Sequence, residues 1–120
     1  MGLRDRLSQL TRPPHARDEE ELRELVASLG GTPISEARPR QEVLVVGEVA
    51  SVRVVPRPNR SSWLEATVTD GHGGRLVAVW TGRTKLGGVE PGRRLMLAAR
   101  TAPAGPGGRL YVYNPTYELL

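Results

Sequence analysis

The sequence predicts a mainly β fold, a five-stranded Greek-key barrel preceded by one or two short N-terminal α-helices. Three observations predict it. Five apolar or alternating runs, Leu44–Val55, Ser62–Thr69, Arg75–Trp80, Arg93–Thr101 and Arg109–Asn114, occupy most of residues 43–120. Turn formers separate them at Pro56–Ser61, Asp70–Gly74, Thr81–Gly92 and Ala102–Gly108. The third of these connections is the longest, which is the layout of the OB-fold, a barrel that binds oligonucleotides and oligosaccharides. A fold is not a function, but this one narrows the field to binding modules. The expected division is a helical segment over 1–31, a linker over 32–42 and the barrel over 43–120.

The N-terminal part reads as two helices. Leu3, Leu7 and Leu10 share one face of a short helix over Gly2–Leu10. Thr11-Arg12-Pro13-Pro14 ends it, because tandem proline removes donors and disfavours helix before it. Asp18 then stands as a cap, with Glu21 at capping-box spacing and acidic residues 18–21 suited to a helix N-terminus. Leu22, Leu25, Val26 and Leu29 form the apolar stripe, and Gly30-Gly31 supplies the stop. Such a pair is either a hairpin packed on an open end of the barrel or a docking arm for a protein partner.

Alternation assigns the strand faces. On the first strand Val45, Gly47 and Val49 form one set and Val52 and Val54 the next, so the phase slips near Ala50-Ser51. A bulge there bends one long strand. Leu64, Ala66 and Val68 point inward, leaving Trp63, Glu65 and Thr67 outward. Leu76-Val77-Ala78-Val79-Trp80 is apolar throughout and does not reveal its phase. Leu95, Leu97 and Ala99 go in while Arg94, Met96 and Arg100 go out; Leu110 and Val112 go in while Arg109, Tyr111 and Tyr113 go out. Asp70-Gly71-His72-Gly73-Gly74 is a hairpin turn whose glycines permit positive φ, and His72 reads as solvated there.

Composition bounds the function. The 120 residues make one domain's worth of chain. With no Cys there is no disulfide framework or thiolate metal site, and His15 and His72 alone cannot build a zinc site. No metal or cofactor is expected. No apolar run approaches the ~20 residues of a membrane span, and Met1–Arg6 lacks an apolar signal core. The expectation is a cytoplasmic protein without membrane insertion. The net charge of +4 is unevenly placed. Residues 1–42 carry seven Arg against eight Asp/Glu, and residues 43–120 carry ten Arg/Lys against five Asp/Glu, so the barrel holds the basic excess. That is the pattern of a nucleic-acid footprint. Since sixteen of the seventeen basic residues are Arg and Gly and Pro are abundant, it is equally the pattern of GC-rich coding.

Catalytic signatures are missing. Thr81-Gly82-Arg83-Thr84-Lys85-Leu86-Gly87-Gly88 lacks P-loop spacing, and nothing matches G-x-S-x-G, H-E-x-x-H or a kinase pattern. No catalytic residue is assigned, and a non-enzymatic binding protein is expected. Single strands are held by bases stacked on aromatic faces and by cations along the backbone. The OB-fold site is the face of strands two and three, flanked by the loops between strands one and two and between four and five. The candidates are therefore Arg53, Arg57 and Arg60 at the first flanking loop, and Trp63 on strand two. Arg75, Trp80, Arg83 and Lys85 lie on and around strand three, with Arg109 and Tyr111 after the second flanking loop. Trp80 has the competing assignment of filling the barrel end.

Asp70-Gly71-His72-Gly73-Gly74-Arg75-Leu76 through Trp80, then Pro91-Gly92-Arg93-Arg94-Leu95, then Tyr113-Asn114-Pro115-Thr116-Tyr117 resemble the OB-fold wedge domain of RecG-type DNA helicases. The chain is also similar to stand-alone actinobacterial OB-fold proteins described as nucleic-acid-binding. The resemblance covers about residues 43–120. It implies that Trp80 is an aromatic presented to a DNA branch point and that the partner is single-stranded or forked DNA, with RNA as a variant. Thr81-Gly82 replaces the second aromatic and polar residue that the wedge pattern expects, and the chain carries no helicase motor. The competing function is a protein-interaction module. Trp63 and Trp80 both exposed beside the basic loops favours nucleic acid; both buried favours the rival.

Overall fold

The computed structural model describes residues 14–103 and 105–120. The helix expected over Gly2–Leu10 lies outside them. Among the described residues there is one α-helix, α1 at Pro14–Ser28, followed by six strands: β1 Glu42–Pro56, β2 Ser62–Thr69, β3 Arg75–Thr81, β4 Arg94–Arg100, β5 Leu110–Tyr113 and β6 Thr116–Leu119. Helix α1 starts four residues before Asp18, so Asp18 is not its cap. Proline suits the first helical position, where its missing N–H would have no partner anyway. The C-terminus ends as the glycines require. Gly30 takes φ +69°, its N–H donates to Ala27 O, and Gly31 N–H donates to Val26 O, closing a Schellman motif.

The strands form one mixed sheet in the order β5-β3-β2-β1-β4-β6, in which only β3 and β5 run parallel. The count of six corrects the expected five, and the order is that of an open sheet rather than a closed barrel. The segment after β4 reaches β5 at a single bridge, Thr101 to Val112, with Ala102 N–H donating to Tyr111 O. Strand β6 escaped prediction because it is short and follows Pro115. Asn114, at φ +49°, kinks the chain there without reversing it, and Thr116–Leu119 pairs with β4.

Strand β1 spans both halves of the sheet, pairing with β4 over Glu42–Glu48 and with β2 over Glu48–Pro56. Its register on β2 shifts between Val49 and Ser51, where the sequence slips phase. The shift lets Val45 and Val49 before it and Val52 after it face one core. Gly47 is needed at the close approach to β2: a Cβ there would stand 2.5 Å from Thr69 O and 2.6 Å from Val68 Cγ1. The core takes Leu64, Ala66 and Val68 from β2, Leu76, Ala78 and Trp80 from β3, Leu95 and Leu97 from β4, and Val112 from β5. The phase of β3, hidden in the sequence, is thereby settled. Val77 and Val79 point to the outer face, yet both are buried.

Two segments outside the sheet complete the core. Within residues 32–42, expected as a linker, most side chains are exposed and one is buried. Ile34, in a short 3-10 turn at Ile34–Glu36, is buried in the core, and its N–H donates to Asp70 Oδ2 at 2.8 Å. The Thr81–Gly92 connection sends Val89 and Leu86 into the same cluster. Helix α1 packs Leu22 and Val26 on Val46, on the outer side of β1, with Met96 of β4 alongside. Arg23 Nη1 donates to Gly71 O at 3.0 Å and Arg94 Nη2 to Asp18 O at 3.2 Å, which fixes the helix across the β2–β3 turn. Among the described residues, no helix is long and apolar enough to cross a membrane.

Candidate nucleic-acid interface

The register of β1, β2, β3 and β5 builds the outer face that the alternation predicts. Arg53 pairs with Glu65, Glu65 with Val79 and Val79 with Tyr113. One step along, Ser51 pairs with Thr67, Thr67 with Val77 and Val77 with Tyr111. At the far end Val55 pairs with Trp63 and Trp63 with Thr81. Trp63 on β2 and Tyr113 on β5 lean across β3 to meet edge to face, with centroids 5.9 Å apart. That roof explains why Val79 is fully buried on an outer face. Tyr113 also stacks on Tyr111, 6.2 Å away and 19° from parallel. Beyond Tyr111 lies the β4–β5 loop: a Cβ on Gly105 would fall 2.6 Å from Tyr111 Cε1, so only a glycine backbone fits against that ring.

At the other end of the row, Arg57 sets its guanidinium carbon 4.1 Å above the Trp63 ring. Arg57 belongs to the β1–β2 loop, which Pro58–Arg60 turns tightly, with Asn59 and Arg60 at positive φ and Arg57 N–H donating to Ser61 O. Small side chains leave a groove beside the aromatic row. One section, about 240 Å³, is lined by Ser51, Arg53, Glu65, Thr67, Val77 and Arg109. The next, about 360 Å³, adds Ala50 and Arg75. A third continues past Arg75 to Thr69, Glu48, Asp18 and Glu19, where the lining turns acidic.

The predicted residues divide accordingly. Arg53, Arg75 and Arg109 line the groove. Arg53 is 73% exposed and pairs with Glu65 at 3.3 Å. Arg57, Trp63 and Tyr111 belong to the row. Arg60 is exposed on the first flanking loop; Arg83 and Lys85 are exposed on the connection that leaves β3 beside Trp63, away from the groove lining. Trp80 is a correction. It is 6% exposed, its Nε1–H donates to Pro115 O at 3.0 Å, and Tyr117 meets it edge to face at 5.8 Å. Its strand parity turns it inward with Leu76 and Ala78, so it offers no face to a base. Tyr113, 45% exposed, is the site residue that the sequence reading left out. The alternation that turned Tyr111 outward turns Tyr113 outward too, and only the parallel β3–β5 pairing brings it to Trp63.

No protein-family model matches the chain, and no curated protein matches it. Among solved structures it is similar to that of RecG bound to a three-way DNA junction, with a TM-score of 0.50 and 15% identity over 68% of this chain. The matched region spans only 11% of the RecG chain. At that identity the likeness is one of fold.

Proposed function

We propose that this chain is a non-enzymatic, cytoplasmic OB-fold module that binds nucleic acid, most readily single-stranded or branched DNA, on the outer face of β1, β2, β3 and β5. Five of its six strands, β5-β3-β2-β1-β4, carry the OB order, with β6 as an addition. The observation that carries the reading is the aromatic row Tyr111–Tyr113–Trp63, bracketed by Arg57 and running beside a groove edged by Arg53, Arg75 and Arg109. It combines the stacking surface and the cations that single strands require, and it lies on the face that OB-folds use. The fold likeness to RecG, solved on a DNA junction, supports a branched ligand. Few side chains reach out to read base edges, so sequence preference is slight.

With Trp80 buried and Trp63 on the outer face, the two tryptophans do not by themselves choose between nucleic acid and the rival, a protein-docking module. Fluorescence anisotropy of labelled single-stranded, duplex and forked DNA and single-stranded RNA, at low and moderate salt, separates the two. Salt-sensitive binding that prefers single strands or forks and weakens in Trp63→Ala is expected. No binding at low salt overturns the nucleic-acid reading and turns attention to protein partners of residues 1–31.

A further inference from the structure

Resting on that reading, we infer that the row receives one unstacked base, on the Trp63 face that Arg57 covers, and that the guanidinium leaves the ring for a flanking phosphate as the base enters. The other two rings pack on each other, although Tyr113 keeps 45% of its surface exposed. Tyr111 lies between the Gly105 backbone and Tyr113, and Tyr113 touches both Tyr111 and Trp63. The half-buried Trp63 ring instead carries the side chain of an exposed loop residue over one face. Stacked rings sit about 3.4 Å apart, the rise per base of a duplex strand. A base and a guanidinium over the same indole therefore need about 7 Å, and Arg57 stands at 4.1 Å. The base and Arg57 exclude each other unless Arg57 moves.

The exchange runs toward the base. An exposed cation–π contact shifts an equilibrium about 2- to 5-fold, whereas base stacking on an aromatic shifts it about 5- to 160-fold. The displaced guanidinium remains on the loop beside the incoming strand, where a phosphate suits it better than an aromatic face. This makes the ligand a nucleotide already free of its neighbours, as in a single strand or at the branch of a fork. A continuous duplex, whose bases cover one another, cannot supply it. Arg57 is thus both the cover of the site and one of its phosphate contacts.

The test uses the whole chain and a labelled oligothymidylate of about eight nucleotides, a length within the range one OB-fold covers. The same backbone without bases is measured alongside, and anisotropy gives the ratio of the two affinities. Arg57→Ala is expected to raise the base-dependent ratio about 2- to 5-fold, by removing the competitor. It should also weaken the abasic strand and reduce its salt slope by about 0.7, one phosphate contact. Trp63→Ala should bring the ratio close to one. In the free protein, acrylamide quenching of the half-buried Trp63 indole should rise in Arg57→Ala, because Trp80 is buried and Trp63 carries the signal. A ratio or quenching unchanged in Arg57→Ala, while the wild type still binds, overturns the exchange and leaves the nucleic-acid reading standing. Failure of the wild type to bind either strand overturns both.

Discussion

At the scale of single residues, two tryptophans of one sheet have opposite tasks, and two substitutions should tell them apart. Trp80 fills the core, so Trp80→Ala should cost about 3–5 kcal/mol of stability, read from urea unfolding. Trp63 lies on the outer face, and Trp63→Ala should cost about 1–3 kcal/mol of binding to single-stranded DNA while unfolding shifts far less. Equal stability losses in the two variants would contradict the face assignment. Asp70 is a third informative residue. It is fully buried, and its carboxylate accepts the N–H of Ile34 at 2.8 Å and of His72 at 3.0 Å, tying the 32–42 segment to the β2–β3 turn. Asp70→Ala would leave the buried Ile34 N–H and the part-buried His72 N–H without their partner and should lower stability by about 3 kcal/mol; a change below 1 kcal/mol would show that water replaces the carboxylate.

At the scale of elements, β1 and α1 decide the shape of the site. Strand β1 serves both halves of the sheet because it carries a bulge at its middle and a glycine where β2 approaches. Gly47→Ala places a methyl 2.5 Å from a backbone oxygen that cannot turn away, so about 2 kcal/mol of destabilisation is expected, measured by thermal or urea unfolding. Helix α1, held by Leu22 and Val26, sets Asp18 and Glu19 at the far end of the groove beyond Arg75. Those carboxylates repel a strand that would run on past Arg75. The double change Asp18→Lys with Glu19→Lys should tighten binding of long single strands and steepen the salt dependence, leaving strands of about four nucleotides unaffected. Equal gains at every length would place the helix outside the path of the strand.

At the scale of the whole molecule, charge is divided between the helix and the sheet. Residues 1–42 carry a net −1 and residues 43–120 a net +5, and the fold sets the acidic helix against the outer side of β1 and β4 while the aromatic row occupies β2, β3 and β5. Affinity should therefore depend steeply on salt yet saturate at short strand lengths. If Arg53, Arg57, Arg75 and Arg109 each meet one phosphate, log K should fall with log salt at a slope of about −3 for single strands. A slope near zero would leave the basic excess without a role in binding.

Most of the fold was legible because period-two alternation is a local property that survives without knowledge of partners. The inward sets of β2 and β4, the outward Trp63, Tyr111 and Tyr113 and the phase slip at Ala50 all follow from it. Where the pattern lost contrast, tertiary structure decided. The run Leu76–Trp80 is apolar on both faces, and only packing shows that Trp80 goes inward while Val79 is roofed by rings from β2 and β5. The polar, proline-bearing stretch 32–42 reads as a linker because a lone Ile34 gives no periodicity, yet Ile34 itself is buried in the core. The row Tyr111–Tyr113–Trp63 joins residues some fifty positions apart through the parallel β3–β5 pairing. Which strands become neighbours depends on contacts distant in sequence, and alternation along one strand carries no record of its partner.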